Sequence, residues 1–136
     1  MGNPFPFCFG CGAENPIGLK LQVACEGDSA WAEFTPNLYH SGFDGVVHGG
    51  LLCTLLDEVM SYLPYLQGRR ALTAKFEARF RRTVRPGENL KIKAWVTKKR
   101  DKLYEIEGSL SNEQGEVVAE ATSLHYILGR GDWKEP

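Results

Sequence analysis

His48-Gly49-Gly50-Leu51-Leu52-Cys53-Thr54-Leu55-Leu56-Asp57-Glu58-Val59-Met60 is the stretch whose reading decides the fold. Apolar residues at 51, 52, 55, 56, 59, 60 and 63 recur with helical spacing and cover most of a helix circumference. Such a helix is expected to be packed nearly all round. Thr54, Asp57, Glu58 and Ser61 interrupt the apolar coat on one narrow stripe, because residues three and four apart share a helix face. Two carboxylates on the only polar stripe of a buried helix are costly unless solvated, paired or used.

Gly49 and Gly50 open this helix. A helix N-terminus carries unpaired N–H groups and the positive end of the dipole, which favour anions and developing oxyanions. By itself the pair reads as a tight loop-to-helix turn; with the acidic pair downstream it also reads as a place where a ligand approaches backbone closely. At 1.5 Å rise per residue, Gly49 and Asp57 lie about 12 Å apart along one helix. One small reacting carbonyl cannot touch both. If both serve one reaction, the carboxylate faces the glycine end of another copy of the helix, which implies a homodimer with composite sites.

Working outward, residues 1–16 combine Pro4, Pro6, Pro16, Gly10 and Gly12 with aromatics and are expected to form an irregular arm. Phe5, Phe7 and Phe9 argue that the arm packs across the body. Leu19 to Cys25 alternates like a strand, Glu26-Gly27-Asp28 is a turn, and Ala30 to Thr35 returns as the second strand of a hairpin. The helix should stop near Tyr62, since Pro64 disfavours helical geometry at the residue before it. Four strands follow as a meander, about Leu72 to Thr83, Asn89 to Lys98, Lys102 to Ser111 and Gly115 to Leu128. In the first of these, Leu72, Ala74, Phe76, Ala78 and Phe80 form the core-facing set, against Thr73, Lys75, Glu77, Arg79 and Arg81. Residues 129–136 read as a short tail, and its Arg130-Gly131-Asp132 triplet as chance. The whole is an α+β domain over residues 1–136, an antiparallel sheet of about six strands curled round one long helix.

A chain of 136 residues supports one domain with a real core. A net charge of −1 excludes the basic excess of a nucleic-acid binder. No charged-then-apolar leader and no apolar run of membrane-spanning length is present, so a cytoplasmic protein is expected, without a membrane partner. Cys53 reads as a packing residue of the helix. Cys8 and Cys11 form a CxxC, half of a zinc site or a redox pair. A structural zinc site needs four ligands, no second CxxC or HxxxH follows, and Cys25 with His40 would complete one only by coincidence. The expectation is therefore a reduced structural turn, with no metal.

The order of elements and the His48-Gly49-Gly50…Asp57 spacing resemble the hotdog-fold acyl-CoA thioesterases, specifically their PaaI-like branch. The opening Cys8-Phe9-Gly10-Cys11-Gly12…Asn15-Pro16-Ile17-Gly18-Leu19 is similar to the N-terminus of many bacterial members. The resemblance implies hydrolysis of an acyl-CoA thioester, with no cofactor beyond the coenzyme A of the substrate. It implies that the Gly49 N–H polarises the thioester carbonyl, and that Asp57 of the opposite subunit acts as nucleophile or as general base on water. Thr73 matches a Ser or Thr that places the attacking water. By parity it falls on the face opposite the core, which fits only if that face meets the dimer seam. Gly42 stands where some relatives carry an Asn or Gln, a departure that touches rate and substrate range.

His48 is read chiefly as a helix-start residue, with a base as its second reading. Gly50 and Glu58 are candidate substrate contacts, Glu58 also being a neighbour able to share a proton with Asp57. Coenzyme A carries phosphates, so Lys98, Lys99 and Arg100 at one turn, and Arg82 at the end of another strand, are candidate partners for them. A homodimer, or a dimer of dimers, is expected. Two rivals stand beside the hydrolase: a non-catalytic acyl-thioester binder, and a hotdog hydratase or dehydratase using a paired His and Asp.

Overall fold

The apolar coat of the central stretch does form a helix, and a sheet does curve round it. A computed structural model describes residues 5–130 of the chain. Helix α1 (Gly49–Leu66) lies against one sheet built of β1 (Ala24–Glu26), β2 (Ser29–Phe34), β3 (Arg69–Phe80), β4 (Leu90–Lys99), β5 (Leu103–Ser111) and β6 (Val117–Arg130). The sheet order is β1-β2-β4-β5-β6-β3, and every pairing is antiparallel. Leu51, Leu52, Leu55, Leu56, Val59, Met60, Leu63 and Pro64 are the buried side of α1. They meet Leu90, Ile92 and Ala94 of β4, Tyr104, Ile106 and Leu110 of β5, and Ala119, Ala121 and Ile127 of β6. No helix is long and apolar enough to cross a membrane among the described residues.

Six expectations need correction. The helix is buried on one side and half-buried on the other, where Cys53, Thr54, Asp57, Glu58, Ser61 and Tyr62 lie. It also runs on through Pro64 to Leu66. Pro64 forfeits an N–H bond, but the burial of Leu63 and Pro64 holds the turn, and the Gln67 N–H caps it on Leu63 and Pro64 carbonyls. Leu19 to Cys25 is a strand only from Ala24: Lys20 has φ 54°, which breaks the extended run. Leu19 and Leu21 are buried as alternation suggests, yet their N–H groups bond Phe9 and Gly10 of the arm rather than a strand.

The last four strands are not a simple meander. Only β4-β5-β6 follow one another; β3 pairs with β6 at the far edge, and residues 81–89 carry the chain back past the start of α1, where the Val47 N–H bonds the Val84 carbonyl at 2.7 Å. Finally, β3 does not alternate throughout. Its register on β6 pairs Thr73 with His125 but Lys75 with Leu124, so a bulge at Ala74 swaps faces. Leu72 is therefore 53% exposed, Ala71 packs on the core with Phe76 and Ala78, and Thr73, itself exposed, turns its hydroxyl toward α1.

The arm does pack across the body, with the Phe5 ring tilted against Tyr65 at a centroid distance of 5.7 Å and Cys11 buried, while Phe7 and Phe9 are exposed. The expected tail is part of β6 through Arg130, and residues 131–136 lie outside the described residues, as do residues 1–4 of the arm.

The contact of α1 with β5 depends on Gly108. A Cβ there would stand 2.9 Å from Met60 Sδ, closer than real side chains come, and 3.2 Å from Leu56 Cδ2, a tight contact. Gly108→Val should lose about 1–3 kcal/mol by overpacking, and Gly108→Ala less, because the end of Met60 can turn aside. Urea denaturation of the two variants checks both the loss and its order.

Candidate active site

Asp57 and Ser61 stand one turn apart on α1 and face the edge pair β3–β6. The bulge at Ala74 turns Thr73 to meet them: Thr73 Oγ1 donates to Asp57 Oδ1 at 2.9 Å, and Ser61 Oγ lies 3.5 Å from the same oxygen. Alternation on β6 (Ala119, Ala121, Ser123, His125, Ile127) sends a histidine inward beside them. His125 is only 1% exposed, with Nε2 3.1 Å from Ser61 Oγ and 3.2 Å from Thr73 Oγ1, and Nδ1 3.1 Å from Ser123 Oγ.

Both hydroxyls have their protons directed at the carboxylate, which as an anion can only accept. His125 is then best satisfied as the Nε2–H tautomer, donating to the Thr73 and Ser61 oxygens while Nδ1 accepts from Ser123. Burial pushes the His125 pKa down, and the Asp57 charge opposes this more weakly. The bonds to Asp57 all reach Oδ1; among the described residues Oδ2 has no partner. Cys53, one turn earlier, has its thiol pKa raised by burial and then by the Asp57 charge, so it is no competing nucleophile.

The glycine end is resolved residue by residue. His48 is the N-cap of α1, its Nδ1 accepting from the Gly50 N–H at 2.8 Å, while its own N–H bonds the His40 carbonyl. Its lone pair is thus committed to the cap, in keeping with a helix-start residue, and the Gly50 N–H is spent. Among the described residues no acceptor pairs with the Gly49 N–H, and both glycines are exposed. A Cβ on Gly49 would meet only the Phe80 ring, at 3.6 Å, so the backbone there is open to a ligand. At Gly42 a side chain would press on the His48 backbone at 3.1 Å.

Other expected site residues are dispersed. Glu58 does not face Asp57's partners; it meets the arm, accepting from Cys8 Sγ at 3.2 Å. Beside it, Tyr62 has its phenol pKa pushed far up, by burial first and then by Cys11 and the nearby Glu58 and Cys8. Lys98 pairs with Glu105 at 3.7 Å and Lys99 with Asp28 at 2.9 Å, while Arg82 pairs with Glu116 at 2.9 Å. The Lys99 and Gln67 hydrogen bonds hold the Asp28 carboxyl below its usual range. Because Gln67 caps α1, the Lys98–Arg100 turn marks its C-terminal end, whereas Arg82 sits by the glycine end. One chain does not gather the two basic groups.

Residues 44–119, more than half of the chain, match the family described as thioesterase superfamily. The chain belongs to the thioesterase superfamily. No curated protein matches its sequence. Among solved structures it is similar to the Escherichia coli PaaI protein of the phenylacetic acid degradation operon, at 21% identity and TM-score 0.79 over 83% of each chain. A Streptococcus mutans protein bound to acetyl-CoA superposes with TM-score 0.78 at 18% identity, over 82% of this chain and 91% of that one. A Streptococcus pneumoniae hypothetical thioesterase with coenzyme A gives TM-score 0.79 at 17% identity, over 82% of this chain and 88% of that one. The Streptococcus pneumoniae protein has also been solved with one Asp and, separately, one Thr replaced by alanine, two positions 16 residues apart in its chain. The fold of this superfamily member is the hotdog fold.

His125 makes the stability of the protein depend on pH in a defined direction. Its folded pKa lies below the ordinary histidine value of 6.5, so as pH falls through 6.5 the unfolded chain takes up a proton that the folded chain refuses. Stability from this group is complete above that pH and declines toward the folded pKa, with a slope of at most about 1.4 kcal/mol per pH unit. His125→Gln should flatten this limb. Urea midpoints of wild type and variant between neutral and mildly acidic pH test it; parallel curves would contradict it.

Proposed function

We propose that the protein hydrolyses acyl-CoA thioesters to a carboxylate and free coenzyme A, in composite sites of a homodimer. The observation that carries this reading is the state of two groups of α1, Gly49 at its N-terminus and Asp57 near its middle. Asp57 is held through Oδ1 by Thr73 and Ser61, leaving Oδ2 for chemistry, and the Gly49 N–H is left for an oxygen. The coenzyme A and acetyl-CoA bound to the streptococcal relatives support the substrate class. The 16-residue separation of the mutated Asp and Thr in one of them equals that of Asp57 and Thr73 here, which supports pairing these two in the reaction.

In the proposed site the thioester carbonyl oxygen sits at the Gly49 N–H of one subunit, where the helix dipole stabilises the negative charge that develops on it. Asp57 of the other subunit faces the carbonyl carbon. Two routes use this geometry. As a general base, Asp57 takes a proton from water while the oxygen of that water bonds to the carbon; the tetrahedral intermediate then expels the coenzyme A thiolate, which is reprotonated. As a nucleophile, Asp57 displaces the thiolate to form a mixed anhydride, which water then cleaves. Solvent oxygen found in Asp57 after a single turnover in labelled water identifies the anhydride route, with water cleaving the anhydride at the Asp57 carbonyl carbon.

Thr73 and Ser61 act here as positioning residues that fix the carboxylate rotamer, with His125 behind them. Arg82, near the glycine end, and the Lys98–Arg100 turn are the proposed contacts for coenzyme A phosphates, one from each subunit. Each must exchange an existing carboxylate partner or share it. Coenzyme A belongs to the substrate, and the proposed chemistry draws on no further cofactor. With acyl-CoA as substrate, the proposed location is the cytoplasm.

Thiol release from a panel of acyl-CoAs, short, long and aryl, tests the reading directly. Asp57→Asn, nearly isosteric, should keep the thermal midpoint and lose about 10²–10⁴-fold in kcat. Gly49→Ala should also fold normally, since the methyl meets Phe80 at an ordinary distance, yet lose rate by crowding the carbonyl. Wild-type turnover that survives in Asp57→Asn would remove Asp57 from the mechanism. Tight acyl-CoA binding with no turnover would identify a binder instead.

A further inference from the structure

The arm closes against α1 at one place where three metal-ligating side chains converge. Cys8 Sγ lies 3.2 and 3.9 Å from the two Glu58 carboxylate oxygens, and the ligand atoms of Cys8, Cys11 and Glu58 all lie within 4.8 Å of one another. The CxxC turn is built rather than draped. Gly12 N–H bonds the Cys8 carbonyl at 2.8 Å and Cys8 N–H the Phe5 carbonyl at 3.1 Å, while Leu19 and Leu21 pin Phe9 and Gly10 from outside. A side chain at Gly10 would overlap the Glu58 carboxyl, so the glycine is what lets the carboxylate reach the turn. Cys11 and Gly12 are buried, and Cys8 and Glu58 are half-buried.

We propose that Cys8, Cys11 and Glu58 bind one zinc-class divalent cation, which clamps the N-terminal arm to α1. With metal–sulfur bonds near 2.3 Å and metal–oxygen bonds near 2.0 Å, a tetrahedral site separates sulfur from oxygen by about 3.5 Å. The observed pair of 3.2 and 3.9 Å brackets that value. Two thiolates and a carboxylate suit zinc, which takes sulfur and oxygen together and needs no particular ligand field. The ligand that sequence spacing could not supply comes from the helix, 47 residues after Cys11. The three side chains line a recess of about 230 Å³ together with Phe5, Ser61, Tyr62, Tyr65 and Ala71, which has room for a water as the fourth ligand. The cation is structural: it holds the arm beside the residue after Asp57 and takes no part in the hydrolysis proposed above.

Metal analysis of the full chain purified without chelator, followed by cobalt(II) titration of the chelated protein, tests this. The expected result is one zinc per chain, and in the cobalt form the intense near-ultraviolet absorbance of thiolate-to-metal charge transfer. Glu58→Gln should weaken cobalt binding at least tenfold and shift the visible bands, and Cys8→Ser should remove most of the charge transfer. Adding zinc to chelated wild type should raise its thermal midpoint. The proposal is overturned if reduced, chelated wild type shows no charge transfer at saturating cobalt and both thiols stay reactive in excess zinc. It is equally overturned if the two cysteines are recovered as a disulfide whose reduction restores no metal binding. Unchanged binding by Glu58→Gln would overturn the assignment of Glu58. Because the readout on wild type needs no variant and no acyl-CoA, a failure here is distinct from a failure of the hydrolase reading.

Discussion

A helix that buries eight side chains in a sheet while carrying two adjacent carboxylates sets the terms for the rest of the structure. Each carboxylate must find partners at half burial or be expelled. The chain meets this demand on two sides of α1. Asp57 turns to the β3–β6 edge, where Thr73 and Ser61 supply hydroxyl donors. Glu58 turns to the arm, where the CxxC turn covers it. An irregular feature of the fold stands at each of these two places: a bulge at Ala74 in one, a glycine-opened turn at Gly10 in the other.

Behind Asp57 the polar chain continues inward to His125 and Ser123, the two buried polar residues of the core among the described residues. A neutral imidazole there has a clear physical use. It fills the acceptor capacity of Thr73 and Ser61, so that their protons stay on the carboxylate, and it does so without placing a second charge in the core. The functional consequence is orientation: one carboxylate oxygen is bound, the other is presented.

Much of this was legible in the chain. The apolar spacing from Leu51 to Leu63 located the helix, and the His48-Gly49-Gly50 start located its open end, because both signals are local and periodic. The sheet order was less so: β3 bonds β6 rather than β4, a long-range pairing that local alternation cannot rank. Thr73 was placed on the wrong face because parity is conserved only in a regular strand, and one extra residue reverses it. His125 went unremarked, although extending the Ala119–Ala121–Ser123 alternation by one step puts a histidine in the core. From their spacing alone Cys8 and Cys11 read as a reduced structural turn with no metal, for lack of further ligands nearby in sequence, whereas Glu58 comes beside them only through the fold. Of the basic residues named for phosphate contact, Lys98, Lys99 and Arg82 are paired and split between the helix ends, since charge density along a chain does not report where its turns meet.

The central claim is that Gly49 of one subunit and Asp57 of its partner share a reacting carbonyl, about 12 Å being too far within one helix. Mixing two inactive homodimers, Asp57→Asn and Gly49→Val, tests it most directly. Random exchange makes half the dimers mixed, each with one site that is wild type at both positions. Thiol release should therefore return to about a quarter of the wild-type rate. If native mass spectrometry shows that mixed dimers have formed and activity stays at the level of the parents, the composite site is wrong.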